Sequence, residues 1–175
     1  MTLRLVRKAA ARPNSASREL YDAAVLQARR PALYAQMGAP DTIEGRFELL
    51  TLHIILLIEA LRDRGEGARA SSQALFDIYV SNLDGALREM GVGDLTVGKR
   101  MRTLGGAFYG RAAAYREAFA ALPDPRVLEG LIRRTVMQDI GEPAALASYA
   151  VQCRDGLAAT ETSQILSAGP PWPQI

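Results

Sequence analysis

Leu49-Leu50-Thr51-Leu52-His53-Ile54-Ile55-Leu56-Leu57-Ile58 is the most apolar stretch of the chain, and its reading decides the fold. Phe47, Leu50, Ile54, Leu57, Ile58 and Leu61 recur at helical spacing and form one stripe. Leu49, Leu52, Ile55 and Leu56 cover much of the remaining circumference. A helix that is apolar nearly all round belongs at the centre of a protein. The run is interrupted by Thr51 and His53, and it falls well short of the roughly 18 consecutive apolar residues of a membrane span. Upstream, Asp41 or Thr42 can cap the first amides, and Glu44 follows Asp41 at capping-box spacing. Downstream, Arg62 and Arg64 suit the negative end of the helix dipole, and Gly65 stops the helix.

The same logic, carried outward, predicts an all-α, single-domain bundle of about six helices. The first starts near Ser15 or Ser17, carries Leu20, Tyr21, Ala24, Val25 and Ala28 inward, and breaks at Pro31. A short turn follows over residues 32–36, and then a loop over 37–40. After the apolar helix, residues 65–70 read as a small, charged linker. Ser71 or Ser72 then caps a third helix with Leu75, Ile78, Tyr79, Leu83, Ala86, Leu87 and Met90 on its inner face, ending at Gly91. Leu95 and Thr96 fit a staple residue and an N-cap for a fourth, from Val97 to about Leu122. Its Gly105, Gly106 and Gly110 are expected to admit a neighbouring helix or a kink. Asp124 and Pro125 open a fifth helix, with Leu128, Leu131, Ile132 and Val136 inward and Gly141 as its end. A sixth starts near Pro143 and holds Leu146, Tyr149, Ala150 and Cys153. Gly169-Pro170-Pro171-Trp172-Pro173 cannot be helical. The expected divisions are a flexible basic N-terminus over 1–14, a helical domain over 15–167 and an extended Pro-rich tail over 168–175.

Composition agrees. The chain has 175 residues, 49% of them hydrophobic, enough to bury about 70% of its unfolded surface without a staple. Cys153 stands alone, so no internal disulfide forms; it reads as a small buried hydrophobe in a reducing compartment. A net charge of +2 does not mark a nucleic-acid binder, and no DNA partner is expected. Residues 1–12 are basic but lack an apolar core, so they are not a secretory signal. The expected location is cytoplasmic, with peripheral contact at the inner membrane left open.

Catalytic signals are missing. Gly93-Asp94-Leu95-Thr96-Val97-Gly98-Lys99-Arg100 matches a phosphate-binding P-loop except at its last position, where Arg100 replaces the hydroxyl that holds magnesium. Moreover, a helix pattern precedes it rather than a strand. His53 is the one histidine, and it reads as a hydrogen-bonded core residue. No catalytic residue, metal or cofactor is expected. The polar residues near the third and fourth helices are more informative. Asp84 and Arg88 are spaced to pair on one helix face. Glu89, Asp94, Lys99, Arg100, Arg102 and Arg111 cluster in sequence near the same corner. They fit either a solvated surface of weak ion pairs or a binding surface.

At these residues the sequence resembles the ubiquinol–cytochrome c chaperone family. Leu87-Arg88-Glu89-Met90-Gly91-Val92-Gly93-Asp94 with Val97-Gly98-Lys99 carries the resemblance. Tyr34, Pro40-Asp41-Thr42, Gly45-Arg46-Phe47, Leu52-His53, Phe108-Tyr109-Gly110-Arg111 and Ala114-Tyr115 agree in order and spacing. The resemblance covers residues 34–119. It implies an α-helical, non-enzymatic protein that binds newly made cytochrome b and assists assembly of ubiquinol–cytochrome c reductase, the bc1 complex. It implies further contacts with the ribosome or with a small partner protein. Asp84, Arg88, Glu89, Asp94, Lys99, Tyr109 and Arg111 are the partner-binding candidates it points to, and Arg100 of the charged corner joins them. Asp41, Arg46 and His53 are further motif positions. Two other functions stay open from the residues alone. One is a ribosome- or RNA-binding module using Lys99, Arg100, Arg102 and Arg111; the other is a nucleotide-binding protein using residues 93–99.

Overall fold

The computed structural model describes residues 15–175; the N-terminal segment expected to be flexible lies outside the described residues, as does the Leu95 side chain expected to act as a staple. Among the described residues eight helices follow one another: α1 (Ser15–Ala28), α2 (Pro31–Ala35), α3 (Ile43–Ala60), α4 (Glu66–Glu89), α5 (Asp94–Ala120), α6 (Arg126–Arg134), α7 (Ala144–Ala159) and α8 (Thr162–Ala168). Among the described residues there is no strand. No helix among the described residues is long and apolar enough to cross a membrane.

α3 occupies the centre, as its all-round apolar surface requires. Every residue from Thr51 to Ile58 is buried. α1, α4 and α7 pack directly on it. α5 packs on α4 and α6, α6 on α7, and α8 on α1. One hydrophobic core runs from Leu20 in α1 to Ile165 in α8. Each fully buried leucine of α3 contributes about 1.5–3 kcal/mol. The entry to α3 is capped as expected, with Thr42 Oγ1 accepting from the Gly45 amide at 3.0 Å. The capping-box role does not materialise, because Asp41 turns to Arg46 instead.

Several boundaries differ from the sequence reading, each for a local reason. Residues 66–70 are the first turn of α4, not a linker. Their glycine and charges look loop-like, yet Ala68 is buried and Glu66 sits favourably at the positive end of the dipole. Ser71 and Ser72 therefore lie inside the helix and are buried, with Ser17 of α1 donating to the Ser71 carbonyl at 3.2 Å. α5 likewise begins earlier than expected. The Gly93 carbonyl accepts from the amides of Thr96 and Val97, which puts Thr96 within the helix rather than at its cap. α5 then runs unbroken to Ala120, and a Cβ added at Gly106 or Gly110 would meet open space. Those two glycines admit no neighbouring helix.

Asp124 does cap α6, accepting from the Arg126 amide at 3.1 Å. The helix ends at Arg134, well before Gly141. The Thr135 hydroxyl donates to the Leu131 carbonyl at 2.8 Å, and Gln138 and Asp139 turn to positive φ. This wound turn buries Val136 and Met137. Two short helices, α2 and α8, add to the six expected. The tail after Gly169 is extended, as its prolines dictate.

Candidate functional site

Most of the residues singled out by sequence fall into three separate places. The first is internal. His53 is fully buried in α3. Its Nδ1 lies 2.7 Å from the Leu49 carbonyl, which can only accept, so Nδ1 carries the proton. Nε2, 2.7 Å from the Tyr149 hydroxyl, then accepts from it. Tyr149 in turn accepts from the Gln27 side-chain amide at 2.9 Å. One satisfied chain of hydrogen bonds thereby ties α1, α3 and α7. Burial pulls the His53 pKa down from 6.5 to about 4, so the ring is neutral at pH 7. Trp172 of the tail covers it edge-on, with ring centroids 5.1 Å apart. A nearby buried thiol, Cys153, is pushed up to about 12 by its burial and stays protonated. His53 is thus the core histidine that its apolar neighbours predicted.

The second place is the start of α3. Asp41 and Arg46 form an exposed ion pair there. Gly45 fits tightly, because an added Cβ would stand 2.2 Å from the Pro40 carbonyl oxygen. The motif over residues 40–47 therefore shapes the turn that launches the central helix.

The third place is the corner between α4 and α5. Arg88 Nε donates to Asp84 at 2.7 Å, and the same guanidinium also bonds Asp94 across the turn. This exposed triad joins the end of α4 to the start of α5. Glu89, Met90, Lys99, Arg100 and Arg102 are exposed around it. Residues 94–99 are already helical, so the P-loop look-alike forms no phosphate-cradling loop.

Two of the partner-binding candidates stand apart from this corner. Arg111 reaches α3, where its guanidinium grips both carboxylate oxygens of Glu48, with Nε 2.7 Å from Oε2. Glu48 is buried, so this is a half-internal clamp. Tyr109 is half-buried, with its ring 5.6 Å from Phe76 and 6.0 Å from Phe108. Sequence reasoning missed Glu48, Tyr149, Gln27 and Trp172. Glu48 alone left a signal, as a charge inside an apolar helix. No group of three or more His, Cys, Asp and Glu among the described residues could hold a metal ion.

The sequence matches the family described as ubiquinol-cytochrome C chaperone over residues 35–172. The chain belongs to this family. The chain resembles in fold the Cbp3 homolog from Brucella abortus, seen in a crystal structure, at 33% identity and a TM-score of 0.83. The likeness covers 93% of this chain and 91% of that chain. No curated protein matches the sequence. The resemblance read from residues 34–119 is borne out, and the family match continues through the C-terminal third to Trp172. That extension fits the contacts above, since α7 and the tail supply Tyr149 and Trp172 to the central histidine.

Proposed function

We propose that this chaperone binds newly made cytochrome b without catalysis and assists assembly of the bc1 complex at the cytoplasmic face of the inner membrane. The family match over residues 35–172 carries the reading. The described geometry supports it: His53, Tyr149 and Gln27 hydrogen-bond one another inside the core, and the exposed charged groups gather at a corner suited to protein contact. Cytochrome b is very apolar, and its helices aggregate if left uncovered before insertion. A helical protein can hold such an intermediate on apolar surface while charged residues set partner choice. Asp84, Arg88, Glu89, Asp94, Lys99 and Arg100 are the proposed contacts, with Met90, 63% exposed, as an apolar element among them.

Deleting the gene should lower mature cytochrome b and bc1 activity while other membrane complexes stay near normal. The Glu89→Lys/Lys99→Glu variant should capture less cytochrome b and keep its thermal midpoint, because both side chains are exposed and lie outside the Arg88 triad, and such substitutions rarely cost more than about 0.5 kcal/mol. Normal cytochrome b and bc1 activity in the deletion strain under respiratory growth would overturn the proposal. A second reading, ribosome contact, is favoured by the exposed Lys99, Arg100 and Arg102 on one stretch of α5. It predicts co-sedimentation with ribosomes that falls steeply with salt.

A further inference from the structure

A different face of the molecule carries two hollows in tandem. The larger, about 280 Å³, lies between α3, α5 and the end of α7, and Ile55, Phe119 and Leu157 are among its walls. The smaller, about 120 Å³, lies between α3, α4 and α5 against Ile58, Phe108 and Ala112. A polar ridge divides them. There Glu59 is held by Arg116 at 2.9 Å and by Arg62 at 3.2 Å, and all three side chains line both hollows. Ser72, 1% exposed, lines the smaller hollow, and its hydroxyl has no hydrogen-bond partner among the described residues.

We infer that the two hollows beside the Glu59–Arg116 pair form a docking groove for an acidic amphipathic helix of another protein. Size argues against a small molecule, since both hollows fall below the roughly 300–1,000 Å³ of ligand pockets. Spacing argues for a helix. Along α5 the larger hollow meets Tyr115, Arg116 and Phe119, and the smaller meets Phe108, Tyr109, Ala112, Ala113 and Arg116. Their centres are offset by about five residues, or about 8 Å at 1.5 Å per residue. Apolar anchors at i and i+4 of a partner helix stand about 6 Å apart, and those at i and i+7 about 10.5 Å, so this offset falls within their reach.

Charge sets the sign of the partner. Arg62, Arg64, Arg116 and Arg154 line the larger hollow. The carboxylates that pair with them are Glu59, Asp63 and Asp155. Arg64 bonds only backbone carbonyls at the end of α7, from Leu157, Ala158 and Thr160. The groove is therefore net cationic over an apolar floor. Glutamates flanking the anchors of a docked helix would meet Arg64 and the open edges of Arg62 and Arg116.

Fluorescence anisotropy of the full chain with labelled synthetic helices tests this. The probe is a peptide about four turns long with leucines at i, i+4 and i+7 and glutamates on their flanks. Saturable binding is expected, and it should weaken at least about tenfold when the sequence is scrambled or when lysine replaces glutamate. Ala60→Trp fills the larger hollow and Ala113→Trp the smaller, and each should weaken binding by a similar factor. Arg18→Glu, exposed on α1, which lines neither hollow, should leave it unchanged. The wild-type peptide comparison stands even if a tryptophan variant misfolds. Equal affinity for the scrambled or basic peptide, or unaltered binding in folded tryptophan variants, would overturn the inference. So would self-association of the chain lost in those variants, which would make a second copy the occupant. The inference rests on the protein-binding reading above, but the assay contains no cytochrome b, so its failure would leave that reading intact.

Discussion

At the scale of single residues, His53 shows what a buried titratable group does to stability. Its ring makes two hydrogen bonds as a neutral base, and burial holds its pKa near 4. In the unfolded chain the same ring titrates near 6.5. As pH falls through 6.5, the unfolded state therefore takes up a proton before the folded state does. The stability contributed by neutral His53 is complete above about pH 6.5, declines between 6.5 and 4, and is gone below. At 1.36 kcal/mol per pH unit, that window is worth about 3 kcal/mol. Urea denaturation of the wild type and of His53→Gln from pH 7.5 to pH 4 checks it. The stability advantage of the wild type should shrink by about that amount across the window. A pH-independent difference would show that the ring is not buried and neutral. The sequence made the histidine's role legible, because one imidazole among leucines and isoleucines must find local acceptors. Its partner was not legible. Tyr149 lies 96 residues away, and nothing in one-dimensional spacing brings it to α3.

At the scale of helices, starts and stops were legible wherever a cap does the work. Thr42 and Asp124 bond the amides expected of them. Boundaries slipped where composition and burial disagree. Residues 66–70 look like a loop and fold as helix because Gly65 is the N-cap and Ala68 reaches the core. Arg64 was read as an end-cap for α3, yet it reaches across to close α7. Arg111 slipped in the same way. Sequence proximity grouped it with the α4–α5 corner, whereas α5 carries it three to four turns onward to Glu48 on α3. That pair clamps two helices. Glu48 is only 9% exposed and Arg111 27%, so removing the cation leaves a buried carboxylate uncompensated. Arg111→Ala should therefore cost about 3 kcal/mol, and Glu48→Gln/Arg111→Met should recover much of it. Chemical denaturation of the three proteins decides the matter. A loss below about 0.5 kcal/mol in Arg111→Ala would return Arg111 to the surface residues available for partner contact.

At the scale of the whole molecule, the chain closes on itself through its last residues. α7 lays Tyr149 against His53. α8 then turns the chain so that the tail runs back over the same spot. Gly156 of α7 admits this return, because a Cβ there would stand 3.2 Å from the Pro171 carbonyl oxygen. Trp172 lands edge-on to the imidazole, and Ile175 packs against the core beyond it. Gly169, Pro170, Pro171 and Pro173 show that the tail is not a helix, but not that it is seated. His53, the partner of Trp172, lies more than a hundred residues upstream. A seated tail belongs to the cooperative unit, and the chain's one tryptophan reports on it directly. Trp172 is half-buried, so Trp172→Ala should cost about 2 kcal/mol, toward the low end for large-to-small core substitutions. In the wild type, Trp172 fluorescence and helical circular dichroism should lose their folded signals at the same urea concentration, as a two-state domain requires. A fluorescence transition that precedes the loss of helix would show that the tail detaches on its own, and that the cover over His53 is an independent element rather than the last part of the core.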